Sequence, residues 1–383
     1  MIRVLHVASG NIYGGIETLL VTIARERRRC PDMEPHFAVC FPGRLADELA
    51  AAGAPVHMLG EVRVRRPVSV WRARRRLASL LPAAAIDVVS CHAPWTHALF
   101  GRLSRAARRP LVLWLHAPFL GRHWLERWAH HTPPDALISN SRFTAAASAG
   151  AFADVPMEVV YSPVSVPEVG LEVAQRRAIR AELDTTADAT VIVQIGRMEP
   201  LKGWHVHVEA LGALRELPGW VAWLVGGPRG AAERRYTEDL KHAAGRLGIL
   251  DRVRFLGERT DVARLLGAAD VYCQPNTEPE SFGLAVVEAL LAGLPVVTTG
   301  AGGLVEIVDD TCALTVATHS RAVAAGLRQL VADTVLRRQL GTSGPVRARK
   351  LCHPTTQMMH IGRTLAAVAE RHRHHAMAGD VDT

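Results

Sequence analysis

The sequence has no C-x-x-C pair: its six cysteines (Cys30, Cys40, Cys91, Cys273, Cys312 and Cys352) are scattered over 383 residues. That spacing argues against a zinc knot and fits a reduced, cytoplasmic chain. Long apolar runs are missing too. None approaches the ~18 residues of a membrane span, and the stretch from Gly283 to Thr298 is interrupted by Glu288. The apolar start, Ile2 to Ala8, is too short for a signal peptide and runs straight into a glycine-rich turn. Internal repeats and low-complexity tracts are absent as well, and the polar tail after Ala376 reads as frayed. What is present is 49% hydrophobic and 21% charged, the balance of a globular chain rather than a disordered one. The length suits two domains of about 150–200 residues.

Acidic residues are scarce in the first half. Residues 1–165 carry 20 arginines against 12 acidic side chains, an excess of +8, whereas the remainder balances 25 against 25. The excess is densest from Arg63 to Arg76 and from Arg102 to Arg109. Such a surface attracts anions, whether an acidic membrane leaflet or a phosphorylated acceptor, and equally suits plain solvated helix faces. Nucleic acid is not expected as a partner, because few aromatic residues interleave with the arginines.

Apolar runs alternate with amphipathic stretches along both halves. Ile2–Ala8, His36–Phe41, Pro55–Leu59, Ile86–Ser90, Leu111–His116 and Ala136–Asn140 read as strands, with a helix over Glu17–Arg28. The pattern restarts with strands at Thr190–Gln194, Ala222–Val225, Val253–Leu256, Val271–Gln274 and Pro295–Thr298. Helices are expected near Trp204–Leu214, Ala232–Leu247, Thr260–Gly267, Gly283–Ala292 and His319–Gln339. Strand–helix alternation implies parallel sheets with helices on both faces. The Pro- and Val-rich stretch from Ser162 to Val169 reads as a linker. The expectation is two doubly wound α/β domains, residues 1–165 and 166–354, with the ligand site in the cleft between the carboxyl ends of their sheets.

Three motifs carry chemistry. Gly10 to Glu17, with Gly14 and Gly15, follows the first strand and opens a helix; its spacing is not G-x-G-x-x-G, so a nicotinamide fingerprint is disfavoured. A tight turn without a ligand is the simpler alternative there. Gly196–Arg197 and Lys202–Gly203 follow the first strand of the second half and place two cations where a diphosphate could bind. In the third, Glu280, Ser281, Phe282, Gly283 and Leu284 form a loop and helix start, and Glu288 lies inside that helix, where an unpaired carboxylate is costly. Glu280 can accept hydrogen bonds from sugar hydroxyls, while backbone N–H groups from Phe282 to Leu284 face the same space. Glu280 and Glu288 are spaced for the two ends of one ligand, not as a hydrolytic pair. His116 ends a strand at the carboxyl edge, and Ser141–Arg142 follow another. His123, His130 and His131 lack a carboxylate at metal spacing and read as a solvated face, and no metal is expected.

These pieces together resemble glycosyltransferase family 4, the retaining enzymes of GT-B fold, over nearly the whole chain. The matching residues are Gly14 to Glu17, His116, Ser141–Arg142–Phe143, Gly196–Arg197, Lys202–Gly203, Val253 to Gly257, Glu280 with Glu288, Ala301–Gly302–Gly303 and Glu306. The resemblance implies that Gly15 packs against the donor phosphate and that Arg197 and Lys202 neutralise the diphosphate. It gives Glu280 the sugar hydroxyls, Glu288 the ribose hydroxyls, and His116 the transferred sugar near its reacting carbon. It also implies a last helix, near residues 355–375, crossing back onto the first domain.

The function expected is transfer of a sugar from a nucleotide-sugar donor to a saccharide or lipid-linked acceptor, with retention, no metal and no cofactor beyond the donor. Polysaccharide, lipopolysaccharide or glycolipid synthesis is the expected setting, in the cytoplasm or peripherally at the inner face of the membrane. A nucleotide-sugar epimerase and a soluble small-molecule glycosyltransferase remain as alternatives. A binding subunit is disfavoured because none of the donor residues is lost.

Overall fold

The computed structural model describes residues 1–165 and 171–379, so Val166 to Val169 of the expected linker lie outside the described residues. Two units emerge. The first comprises Met1–Ser165 and the described residues from Cys352 onward; the second comprises residues 171–351.

The first unit is built on seven parallel strands: β1 (Ile2–Ala8), β2 (Met33–Val39), β3 (Val56–Met58), β4 (Val88–His92), β5 (Leu111–Leu115), β6 (Ala136–Ser139) and β7 (Met157–Val159). Their order is β3-β2-β1-β4-β5-β6-β7. The central strands are buried on both faces, which is why β4 and β5 read as continuous buried runs rather than alternating ones. On one face, Leu19, Leu20 and Ile23 of the helix Gly15–Glu26 pack with Met358, Ile361 and Leu365 of the last helix, Pro354–Gly379. On the other, Leu77 and Leu81 from the helix Pro67–Ala83 meet Leu99 and Phe100 from Pro94–Ala106.

The second unit repeats the plan with β8 (Thr190–Ile195), β9 (Trp220–Val225), β10 (Val253–Gly257), β11 (Val271–Gln274), β12 (Val296–Thr298) and β13 (Ala313–Thr315). The order is β10-β9-β8-β11-β12-β13, again parallel. Arg180, buried in the helix Val173–Glu182, donates to Asp270 at 2.6 Å and anchors that helix beside β11.

Three details differ from the sequence expectation. Strands β7 and β13 were not anticipated; each has three residues, too few to show a period. The helix expected over His319–Gln339 is two helices, Ser320–Ala332 and Thr334–Cys352. Asp333 separates them: its backbone leaves the helical region (φ −106, ψ 97), and its carboxylate accepts from the Leu336 amide at 2.9 Å, starting the second helix as an N-cap does.

Each sheet reverses its winding once, beside β1 and β4 in the first unit and beside β8 and β11 in the second. Such switch points open crevices at the strands' carboxyl ends.

Candidate functional site

Polar side chains gather at the switch point of the second unit. Gln194, near the end of apolar β8, accepts from His207 Nδ1 at 2.7 Å and donates to the Lys202 carbonyl at 2.8 Å. Lys202 closes a 3-10 turn, Pro200–Lys202, that ends at Gly203. Gly203 has φ +70, and a Cβ there would overlap the Pro275 carbonyl, so this close approach requires glycine. The Thr277 amide donates back to Leu201 at 3.0 Å and ties the two loops together.

Gln274 ends β11 and Asn276 follows it. Both donate side-chain amides, each at 3.2 Å, to Oε2 of Glu280, and the Lys202 ammonium contacts that same oxygen. Tyr272 orients Gln274 by donating to its Oε1 at 2.7 Å. The Glu280 backbone is held as well. Its amide donates to Ala301 at 3.1 Å, and its carbonyl accepts from Gly303 at 2.6 Å, a short parallel bridge to Gly302. Gly302 has φ +72, and a Cβ there would strike the Glu280 backbone. Burial opposes the charge of Glu280, yet Lys202 beside it, with Asn276 and the Ser281 amide, holds the carboxyl below its ordinary range.

Arg197 and Lys202, expected as two cations waiting for phosphate, are both paired with carboxylates. Arg197 is half exposed, and its guanidinium meets Glu199 at 2.7 Å. Lys202 is held by Glu280. For Lys202 the physical reason is depth: either charge of the Lys202–Glu280 pair alone would be costly, so each serves as the other's counter-ion.

Beyond Glu280, Phe282 is buried, and Gly283 precedes the helix Leu284–Leu291. Glu288 lies within that helix. It has no hydrogen-bond or ion-pair partner among the described residues, and desolvation pushes its pKa up to about 7. An ion-paired Glu288 is therefore not what the structure contains.

In the first unit, the Gly14 amide donates to Glu17 at 3.0 Å as the helix Gly15–Glu26 begins. His116 directly follows β5 and is partly exposed. Its Nε2 lies 3.1 Å from His92 Nδ1, and His92 Nε2 lies 2.9 Å from His6 Nδ1. Burial keeps these rings neutral, lowering His6 to about 3, His116 to about 4, and His92 well below its ordinary value. Ser141 is fully buried as the N-cap of the helix Arg142–Ala147, accepting from the Thr144 amide at 3.0 Å. Among the described residues no helix is long and apolar enough to cross a membrane.

Two family models match successive parts of the chain: "Glycosyltransferase Family 4" over residues 13–166 and "Glycosyl transferases group 1" over residues 175–347. The chain belongs to glycosyltransferase family 4. Among curated members, a D-inositol 3-phosphate glycosyltransferase of Actinosynnema mirum is 36% identical over 55% of this chain and 54% of its own. The lipopolysaccharide core biosynthesis glycosyltransferase LpsE of Rhizobium meliloti is 34% identical over 43% of this chain and 46% of its own. The chain thus matches about half the length of these relatives. The structure of Anabaena HepE in complex with UDP-glucose superposes with a TM-score of 0.83 at 25% identity, covering 96% of this chain and 100% of that one. This family 4 chain therefore has the two Rossmann-like α/β domains of the GT-B fold.

Several residues of these clusters are invisible to motif reading. Gln194, His207, Gln274 and Asn276 complete the Glu280 cluster, and His6 and His92 lie behind His116. One signal was available: a polar residue near the carboxyl end of an otherwise apolar strand, as in Val–Gln194–Ile, Cys–Gln274–Pro and Cys–His92–Ala.

Proposed function

We propose that this family 4 chain transfers a sugar from a nucleotide-diphosphate sugar to an acceptor hydroxyl, with the donor held at the β8/β11 switch point. The observation that carries the proposal is the convergence of Lys202, Gln274 and Asn276 on one buried oxygen of Glu280. This arrangement keeps a carboxylate and an ammonium charged and oriented without a ligand, ready for a sugar hydroxyl and a diphosphate oxygen. A donor entering there exchanges the internal pair for two external ones. Glu280 accepts from sugar hydroxyls, and Lys202 and Arg197 turn from their carboxylates to the diphosphate. The N-terminus of the helix Leu284–Leu291 adds free amides, with Ser281, Phe282 and Gly283 shaping the approach. Glu288 takes the ribose hydroxyls. In the first unit, Gly14 and Gly15 serve the phosphate, His116 the transferred sugar, and Ser141 fixes the neighbouring helix start.

The reaction follows from those charges. The bond from the anomeric carbon to the diphosphate oxygen breaks as Lys202 and Arg197 neutralise the leaving group. The acceptor oxygen bonds to the same face of that carbon, so configuration is retained, and its proton passes to the departing phosphate oxygen. The cations needed are the protein's own, and the reaction runs without a metal ion. The relatives' names support a phosphorylated polyol or a lipid-linked saccharide as acceptor, and HepE's ligand supports a UDP-sugar donor. Arg63, Arg65 and Arg66 line a shallow pocket with Trp124, and Val68 and Trp71 are exposed nearby, which supports an anionic acceptor or membrane surface on the first unit.

The test is product analysis with UDP-, GDP- and ADP-sugars in EDTA, with and without acceptor glycans and glycolipids. A glycoside of unchanged anomeric configuration, formed only with acceptor, is expected. Release of free epimerised sugar without acceptor would replace transferase with epimerase.

A further inference from the structure

Three imidazoles form a line across neighbouring strands of the first unit, with His6 on β1, His92 ending β4 and His116 just past β5. Each of the two ring-to-ring contacts joins a Nδ1 to a Nε2, at 2.9 and 3.1 Å. Trp114 stacks on His92 and His116, with ring centroids 5.1 and 5.7 Å away, and donates its own N–H to Ser90 at 2.8 Å, so it does not compete for the links.

A neutral imidazole carries one N–H and one acceptor nitrogen, and each contact needs one proton. Burial, which lowers all three pKa values, keeps the count at one proton per ring near pH 7. The tautomers are therefore coupled. Either all three rings carry the proton on Nδ1 and the line donates from His6 towards His116, or all three carry it on Nε2 and the line donates inward. The arrangements differ at the ends. In the inward one, the His6 Nε2 proton points into the core, where no acceptor lies within reach among the described residues. In the outward one that nitrogen is bare, and His116 Nδ1 carries the proton. An orphaned buried N–H is the rarer and worse outcome.

We propose that His6 and His92 are positioning residues that fix His116 as a neutral Nδ1–H donor towards bound substrate. Only the identity of the accepting oxygen, a hydroxyl of the transferred sugar, rests on the function proposed above; the tautomer does not.

The experiment is a two-bond proton–nitrogen correlation spectrum of the full chain, 15N-labelled at histidine, at pH 7, with His116→Gln assigning that ring. The Nδ1–H pattern is expected at His116, and a Nε2–H pattern there overturns the proposal. In His92→Gln the amide can accept from His6 and donate to His116, so the Nδ1–H pattern should persist. In His92→Leu the His116 Nε2 loses its donor. The ring, partly exposed and no longer tied to His92, should then populate both tautomers, with turnover down about tenfold and donor KM within about twofold. An unchanged tautomer in folded His92→Leu overturns the positioning role whether or not the chain proves to be a transferase. If that variant does not fold, loss of the Nδ1–H pattern in His92→Gln overturns the role instead, because that amide supplies the same donor.

Discussion

Lys202 and Glu280, 78 residues apart in sequence, meet at a single carboxylate oxygen that also receives the amides of Gln274 and Asn276. The other Glu280 oxygen takes no part in these contacts. A pair this enclosed is a poor source of stability, because desolvating two charges consumes most of their attraction. Its place at the sheet's switch point gives it a different use, as a charged couple that a ligand can divide.

Removing one partner leaves the other charge stranded. Lys202→Met or Glu280→Gln alone should differ sharply, with Lys202→Met costing about 3–5 kcal/mol because the Glu280 carboxylate stays buried. The double variant Lys202→Met/Glu280→Gln should regain most of that loss while transfer stays about 100- to 1000-fold down. Urea melts and initial rates at pH 7 check both, and a double variant that transfers at wild-type rate contradicts the site.

Glu288 sets a pH dependence of its own. Its folded pKa of about 7 lies above the ordinary 4.5, so between those values the folded chain holds a proton that the unfolded chain has released. This group therefore weakens folding as pH rises through that window. Glu288→Gln should stabilise the chain by about 3 kcal/mol at pH 8 and by little near pH 5. Denaturation midpoints at both pH values measure it, and an equal gain at both would refute the assignment.

The buried histidines act in the opposite sense. Burial lowers His6 and His207 to about 3 and His97 to about 4, from an ordinary 6.5. Below about pH 6.5 the unfolded chain binds protons that the folded chain refuses, so stability falls as pH drops. Several imidazoles outweigh one carboxyl, and the net urea midpoint should decline from pH 6.5 to pH 5. A midpoint that rises over that interval would contradict the buried, neutral state of these rings.

The basic first unit makes a prediction at a surface. Arg63, Arg65 and Arg66, with exposed Trp71 and Trp124, should bind vesicles containing anionic lipid at low salt and release them near 0.5 M salt, roughly 1 kcal/mol being lost per arginine removed. Co-sedimentation that depends on neither anionic lipid nor salt would leave this face without a membrane role.

Much of the fold was legible because parallel strands covered on both faces are written as apolar runs; β5, Leu–Val–Leu–Trp–Leu, is one. The edge strands β7 and β13 were not, since three residues carry no period. The helix break at Asp333 was missed because the apolar spacing continues through it, although Asp333–Thr334 is a recognisable helix start. At the site, charged residues in strand-end loops stood out, whereas Gln194, Gln274, His6 and His92 did not. One polar residue in an apolar strand says nothing about its neighbours until the strand order sets it beside them. The pairing of Lys202 with Glu280 has the same origin. Both were expected as donor ligands, but only the approach of two loops, made possible by Gly203 against Pro275, brings them together.

The most direct test titrates UDP-, GDP- and ADP-sugars into wild type and Lys202→Met/Glu280→Gln while following thermal unfolding. At about 100 times its Kd, the true donor should raise the wild-type Tm by about 5 °C and leave the double variant unmoved. No rise with any nucleotide sugar, or an equal rise in the double variant, would contradict the claim that Lys202 and Glu280 hold the donor.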